Sequence, residues 1–208
     1  ADKKSNRLLK KGDVYLVDSG GQYLHGTTDV TRTLSLDVNS PKIKEIFTRV
    51  LKGHIAVASY KLSRNSDGDK IDRVARKPLK DINLDYPHGT GHGVGYFLNV
   101  HEGPQGISKG NNVKFKEGMI TSNEPGFYKK KHFGIRIENL IYVKKIKNKL
   151  KFVDLTLAPI DRSLIEKKLL TLSEKHWLNT YHQRVLKNLK PFMDKFELTY
   201  LKQACSNI

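Results

Sequence analysis

Acidic and imidazole side chains are concentrated in a few short segments of this 208-residue sequence. Asp18 ends a strand-like apolar run, and Glu138 is flanked by Ile137 and Leu140 within another. A buried carboxylate is costly unless it is paired with a cation or bound to a metal ion. These acids therefore predict a site that holds positive charge. The other candidate groups are Asp29, His88, His92, His101 and Glu124.

Carboxylates and one imidazole from this set form an oxygen-rich group of candidate metal ligands. Such a group suits Mn²⁺, and also Zn²⁺, Co²⁺ or iron, better than a metal that prefers thiolates. The ligands suffice for two ions with bridging carboxylates, and ions paired in this way lie about 3.5–4 Å apart and share a hydroxide nucleophile. Each residue alone is weak evidence, because a His or Asp in a glycine-rich turn is usually a hydrogen-bonded turn residue. The prediction depends on their combination.

The segments that carry these residues resemble the signature of the Xaa-Pro aminopeptidases. These enzymes are pita-bread metallopeptidases, related to prolidase and methionine aminopeptidase. The resemblance covers about residues 5–200. Gly-Thr-Thr-Asp-Val-Thr-Arg-Thr at 26–33 and His-Gly-Thr-Gly-His-Gly-Val-Gly at 88–95 favour the Xaa-Pro aminopeptidases over their relatives. Matching segments also occur at Val17–Tyr23, Val100–Pro104, Asn123–Gly126 and Gly134–Asn139.

The resemblance implies two divalent metal ions as cofactors, Mn²⁺ in preference to Zn²⁺ or Co²⁺. Asp29 and Glu138 would bridge the two ions. Asp18 would complete one site, and His92 with Glu124 would complete the other. All of these positions match the family in residue type and spacing.

The resemblance also implies the catalytic groups. Glu124 would exchange a proton with the bridging water. His88 and His101 would bind the substrate carbonyl or stabilise the charge that develops on it. Arg136 would stabilise the acidic ligands without itself binding a metal ion. The implied reaction is hydrolysis of the first peptide bond of a peptide whose second residue is proline, by attack of the bridging hydroxide.

The resemblance implies an α+β pita-bread fold, and the sequence pattern predicts the elements that must position these residues and a helical C-terminal tail. Ser19-Gly20-Gly21 is expected to separate two antiparallel strands, and Ser40-Pro41 to begin an amphipathic helix. Residues 85–106 are rich in Gly, Pro and His and predict a site-forming loop. The predicted strands are Asp13–Val17, Gln22–Leu36, Met119–Asn123, Gly134–Val143 and Leu150–Leu155, and a second, shorter helix is predicted within Ser66–Lys80.

A change of character after Pro159 predicts two parts. Residues 1–158 would be the metal-binding part of the catalytic domain, and 159–208 a helical extension. Trp177, Tyr181, Val185 and Leu189 form an apolar stripe that predicts packing against the domain or against a second copy in a homodimer. The family's catalytic domain has a further segment before the equivalent of Asp18. We therefore expect an N-terminally truncated fold, inactive alone or dependent on a complementary N-terminal segment.

Composition leaves other classes of protein to weigh. The net charge of +17 would attract nucleic acid, but the lysines are scattered, which favours a lysine-rich solvated surface and no specific nucleic-acid partner. A single cysteine fits a reducing compartment, and we expect a cytoplasmic protein without a membrane partner. The alternatives are a non-catalytic pita-bread module that binds peptides or proteins, a prolidase-like dipeptidase, and a nucleic-acid-binding protein.

Overall fold

The first part of the chain contains strands and two α-helices, and the last part is helical. The computed structural model describes residues 6–97 and 99–208. The strands are β1 (Val14–Tyr23), β2 (Gly26–Ser35), β3 (Gly91–Val94), β4 (His101–Ile107), β5 (Ile120–Asn123), β6 (Gly126–Lys129), β7 (Phe133–Arg136), β8 (Asn139–Ile146) and β9 (Lys149–Asp154). The α-helices are α1 (Pro41–Ala58), α2 (Gly68–Lys80), α3 (Leu172–Leu189) and α4 (Lys195–Ala204). Within those described residues, no helix is long and apolar enough to cross a bilayer.

The first two strands form one long antiparallel hairpin, paired from Val14↔Ser35 to Tyr23↔Gly26. The predicted break at Ser19-Gly20-Gly21 was wrong, because β1 continues through these residues. Glycine is useful there because the partner strand lies close: a Cβ added to Gly20 would come within 3.0 Å of the Thr28 carbonyl oxygen.

A five-stranded antiparallel sheet in the order β4-β3-β5-β8-β9 forms the centre of the fold. The single strand predicted over Gly134–Val143 is in fact two strands, β7 and β8. They separate because the chain changes partners between them. The amide of Ile137 donates to Pro125 O at 3.3 Å, and that of Glu138 donates to Thr31 O at 3.1 Å.

Both helices predicted for the first part of the chain are present. Ser40 caps α1, since its side chain accepts a hydrogen bond from the Ile43 amide. The apolar face of α1 is buried in a core that also contains Leu178 and Val185 of α3. The apolar stripe of the tail therefore packs within this chain, as one of its two expected roles required. The domain boundary after residue 158 stays a prediction.

Arg32 joins the hairpin to the tail. Its guanidinium is buried and donates to backbone carbonyls and neutral side chains at distances of 2.5–3.1 Å. Burial lowers its pKa. The acceptors are the carbonyl oxygens of Thr31, Glu138, Ala158 and Pro159, Asn139 Oδ1 and the Tyr181 hydroxyl. All five N–H groups of the guanidinium therefore have acceptors, which ties β2, β8 and α3 together.

Candidate metal centre

Three side chains from three separate segments meet in one cluster. Asp29 lies on β2, His92 on β3, and Glu138 between β7 and β8. One ligand atom of each lies within 4.8 Å of the others, as a shared metal ion would require. His92 Nε2 is 3.4 Å from an Asp29 carboxylate oxygen.

Glu138 is the most deeply buried acid of the cluster, at 2% exposed. One of its oxygens accepts a hydrogen bond of 2.6 Å from the Thr31 hydroxyl. Burial, together with the nearby charge of Glu124 and of Asp29, raises its pKa to about 8. The fold therefore holds this carboxylate where only a cation would make its charge favourable.

Glu124 approaches the same nitrogen of His92 as Asp29 does. An oxygen of its carboxylate is 3.4 Å from His92 Nε2, and the same oxygen accepts a 3.0 Å hydrogen bond from the Ser122 hydroxyl. Burial raises the pKa of Glu124. Burial opposes the charged form of His92, but the Asp29 and Glu124 carboxylates raise the pKa of its imidazole. The two carboxylates thus lie at one nitrogen, Nε2, of the same imidazole.

Two glycines let β3 carry His92 between its neighbouring strands. A Cβ added to Gly91 would lie 2.0 Å from the Ser122 carbonyl oxygen of β5. A Cβ added to Gly93 would lie 1.9 Å from the Glu102 carbonyl oxygen of β4. The Gly-His-Gly sequence is therefore a packing requirement, because only glycine lets both neighbouring backbones approach this closely.

Asp18 lies apart from the three-residue cluster and is half exposed. Its carboxylate forms a 2.5 Å ion pair with Arg136. Arg136 also donates to the Thr31 hydroxyl at 3.0 Å, and its Nε is 3.8 Å from Glu124. This arginine therefore contacts two of the predicted acidic ligands and the threonine that binds Glu138, and its supporting role stays a prediction.

The predicted catalytic histidines border the cluster in different ways. The His101 ring is exposed and stands edge-on to His92, with ring centroids 4.1 Å apart. His88 has both ring nitrogens engaged, by Gly89 O at 2.7 Å and by the Tyr128 hydroxyl at 2.8 Å. Because the carbonyl can only accept, the His88 proton is assigned to Nδ1 and its Nε2 accepts from Tyr128. Burial lowers the pKa of His88, which favours this neutral form.

Sequence reasoning missed three residues that contact the predicted ligands or their supports. Tyr128 links His88 to Arg136, whose Nη1 donates to the tyrosine hydroxyl at 2.9 Å. Thr31 binds Glu138, and Ser122 binds Glu124. Thr31 lies within the predicted motif two positions after Asp29, so strand alternation could have placed it on the same face. Tyr128 and Ser122 carry no comparable signal.

Comparison with protein families gives two adjoining matches. Residues 1–145 match the model of metallopeptidase family M24. Residues 148–208 match the model of the C-terminal region of peptidase M24.

Curated relatives align along most of this chain. A probable Xaa-Pro aminopeptidase P of Coprinopsis cinerea is 46% identical, over 100% of this chain and 35% of its own length. Xaa-Pro aminopeptidase 1 of Dictyostelium discoideum is 44% identical, over 93% of this chain and 32% of its own length. The chain thus spans about a third of the length of these relatives.

Solved structures show the same likeness. An X-prolyl aminopeptidase from Caenorhabditis elegans, described as a cytosolic enzyme with a di-nuclear active site, superposes with a TM-score of 0.94 at 41% identity. That match covers 100% of this chain and 36% of the nematode chain. A prolidase from Pyrococcus furiosus gives a TM-score of 0.66 at 29% identity, over 74% of this chain and 44% of its own.

Proposed function

We propose that this chain, which belongs to metallopeptidase family M24, is the metal-binding part of an Xaa-Pro aminopeptidase. It has the α+β pita-bread fold of that family. The proposed reaction is hydrolysis of the N-terminal peptide bond that precedes proline. The observation that carries the proposal is the meeting of Asp29, His92 and Glu138 within 4.8 Å, with Glu124 beside them.

The donor set fits divalent metal ions. Its oxygens are hard ligands, and its single imidazole is an ordinary ligand of Mn²⁺, Zn²⁺ and Co²⁺. The raised pKa of Glu138 also indicates a surplus of negative charge that a dication would offset. We propose Asp18, Asp29, His92, Glu124 and Glu138 as the ligands of two ions, and Mn²⁺ as the preferred metal. Such ions, when bound, polarise a carbonyl and lower the pKa of a water molecule enough to yield a nucleophile at neutral pH.

The protein's own groups supply proton transfer and charge stabilisation. Glu124 is proposed to take the proton from the attacking water and to deliver it to the leaving amine. Its position beside His92 and Ser122 keeps one oxygen engaged and leaves the other toward Arg136. The Arg136 charge would steady Glu124 as its protonation changes.

His101 is proposed to stabilise the reacting carbonyl, and His88 to support the groups around it. His101, with an exposed ring beside His92, would donate to the carbonyl oxygen as negative charge develops there. His88 is hydrogen-bonded to Tyr128, and Tyr128 is hydrogen-bonded to Arg136. These hydrogen bonds would keep the three side chains in fixed positions beside the site. A cytoplasmic location and a homodimer contact stay predictions from the sequence.

Metal content and peptide turnover test the proposal. The 208-residue chain and the natural polypeptide that contains it are each stripped with chelator and assayed with and without Mn²⁺. The substrates are an Xaa-Pro-Xaa tripeptide and an Xaa-Pro dipeptide. We expect about two bound ions per chain and Mn²⁺-dependent release of the first residue of the tripeptide.

The other outcomes separate the alternatives. Cleavage of the dipeptide alone would favour a prolidase-like dipeptidase. Bound metal without turnover in the natural polypeptide would favour a non-catalytic peptide-binding module. Turnover by the natural polypeptide but not by the 208-residue chain would show that flanking residues complete the site. Absence of metal binding in both would contradict the proposal.

A further inference from the structure

A fully buried histidine lies behind the acidic cluster, on the opposite side of the strands from the predicted ligands. His54 belongs to α1 and is 0% exposed. Its Nδ1 is 3.1 Å from the carbonyl oxygen of Asn123 and 3.2 Å from that of Ile137. These two residues immediately precede Glu124 and Glu138 in the sequence.

The proton of His54 can be assigned from its neighbours. Both groups at Nδ1 are carbonyl oxygens, which only accept, so Nδ1 carries the hydrogen and shares it between them. Burial lowers the pKa of His54 to about 3, so the ring stays neutral at physiological pH. The Trp177 ring of α3 packs edge-on against the imidazole, with centroids 5.9 Å apart, and restricts its rotation.

The two carbonyls lie where the chain changes from the β5–β8 pairing to the β6–β7 pairing. The last paired residues of β5 and β8 are Asn123 and Asn139. Glu124 and Glu138 lie just beyond that pair, and the Ile137 amide donates to Pro125 O at 3.3 Å before β6 and β7 pair at Gly126↔Arg136. The His54 N–H shared between the carbonyls of Asn123 and Ile137 is a further link between the two segments at this change of pairing.

Asn123 also forms a second hydrogen bond with His54. Its side-chain amide donates to the carbonyl oxygen of His54 at 3.0 Å, so the two residues bind each other through side chain and backbone. This reciprocal pair attaches the end of β5 to the C-terminal part of α1. The helix thus fixes the start of the Glu124 segment, and the shared N–H extends that constraint to the Glu138 segment.

We propose that His54 is a positioning residue that sets the spacing of the Glu124 and Glu138 carboxylates and thereby the affinity of the site for divalent metal. The inference rests on the proposed function, because it assumes that both carboxylates are metal ligands. His54 itself faces away from the cluster and has no part in the chemistry. Its effect passes through the backbone of Asn123 and Ile137.

Two substitutions separate the hydrogen bond from the packing of the ring. His54→Leu introduces an apolar side chain of similar size and removes the N–H donor. His54→Asn retains a donor, because the asparagine Nδ2 occupies nearly the same position as the imidazole Nδ1. His182→Leu is the matched control, since His182 is also a fully buried histidine and its Nε2 accepts only from the Ile160 amide among the described residues.

The measurement is Mn²⁺ binding by calorimetry to the natural polypeptide and its variants, with urea unfolding of the metal-free proteins to establish that each is folded at the titration temperature. We expect His54→Leu to weaken Mn²⁺ binding by about 10- to 100-fold, the usual effect of losing a group that supports a ligand. His54→Asn should recover most of that loss. His182→Leu should lower stability and leave Mn²⁺ affinity unchanged.

Equal Mn²⁺ affinity in the wild type and His54→Leu would overturn the inference and leave the proposed function intact. Equal weakening by His54→Leu and His182→Leu would also overturn it, because the loss would then follow general destabilisation. A wild type that binds no Mn²⁺ would instead overturn the proposed function, and the inference with it.

Discussion

Thr31 and Arg32 are neighbours on β2, but the charged groups at these two positions differ in how well the surrounding protein compensates their charge. The Thr31 hydroxyl binds the carboxylate of Glu138, within the acidic cluster. Arg32, on the opposite face of the strand, donates to the backbone carbonyl of that same Glu138. The guanidinium has an acceptor for each of its N–H groups, whereas the carboxylate lies among other acids that raise its pKa.

The difference separates a structural region from a functional one. The Arg32 region consists of Arg32, Tyr181, His182 and the backbone at residues 158–160, and its polar contacts lie within the chain. The acidic cluster keeps negative charge that the fold does not neutralise. Carboxylates clustered in this way are typical of a ligand-binding site, and they reduce the stability of the ligand-free protein.

The sharpest test of this contrast is Glu138→Gln. Loss of a proposed bridging ligand should lower turnover of an Xaa-Pro-Xaa peptide by about 1000-fold or more, since metal ions contribute several kcal/mol to such reactions. The metal-free protein should be as stable as the wild type or more stable, because the change removes repulsion from Glu124 and Asp29. Turnover and urea unfolding in chelator measure the two effects.

Glu45→Gln is the matched control for that variant. Glu45 forms ion pairs with Lys42 and Arg49 on the surface of α1, well away from the cluster. It should change neither turnover nor metal content, and such surface pairs contribute at most about 1 kcal/mol. A Glu138→Gln protein that was both active and less stable would remove the distinction between the two regions.

Arg32→Met should produce the opposite result, a large loss of stability. The change leaves several buried carbonyl oxygens and the Tyr181 hydroxyl without their donor. We expect the free energy of unfolding of the metal-free protein to fall by about 3–5 kcal/mol, as is usual when one partner of a buried polar network is removed. Urea unfolding in chelator measures it.

Arg73→Met provides the comparison for that loss. Arg73 on α2 is 75% exposed and pairs with Asp69 at the surface. Its replacement should change stability by less than about 1 kcal/mol. Similar losses in the two variants would mean that Arg32 contributes no more than an exposed charge.

A smaller effect on stability, one that depends on pH, is expected from His182, which lies in the same structural region as Arg32. Burial lowers its pKa from 6.5 to about 4. The folded state therefore binds fewer protons than the unfolded state in this range, and stability present above pH 6.5 is lost as the pH falls toward 4. His182→Gln retains an acceptor for the Ile160 amide and cannot be protonated.

The wild type should lose about 1–3 kcal/mol more than His182→Gln between pH 6.5 and 4 in chelator. Urea unfolding at a series of pH values gives the difference. His176→Gln, at an exposed position of the same helix, is the control and should follow the wild type. Parallel pH profiles for the wild type and His182→Gln would show that burial of His182 does not affect its protonation.

The sequence predicted much of the site because its motifs are local. The segments around Asp29 and His92 each combine a candidate ligand with the glycines or threonines that position it. The fold class followed from the resemblance of the motifs to those of the Xaa-Pro aminopeptidases, and the first helix followed from its apolar spacing and the Ser40 cap. Strand ends were harder to predict: glycines in β1 indicated a turn, although they are required by close contact with Thr28.

The supporting roles of His54 and Tyr128 could not be predicted, because their partners are distant in the sequence. His54 contacts carbonyls 69 and 83 positions away, and Tyr128 contacts a histidine 40 positions away. Neither residue stands in a local pattern that marks its role. His54 lies within an amphipathic helix, where a buried histidine is indistinguishable from a packing residue until its partners are known.

The bond between Thr31 and Glu138 also has a consequence for biosynthesis, since it joins residues 107 positions apart. A growing polypeptide that has not yet emerged through Glu138 cannot assemble the acidic cluster. Closing so long a loop is entropically unfavourable, and contacts of this kind form late in folding. A zinc finger, whose ligands are close in sequence, folds around its ion. Here the proposed ligands come from segments far apart in the sequence, so the fold must bring those segments together before one ion could contact them all.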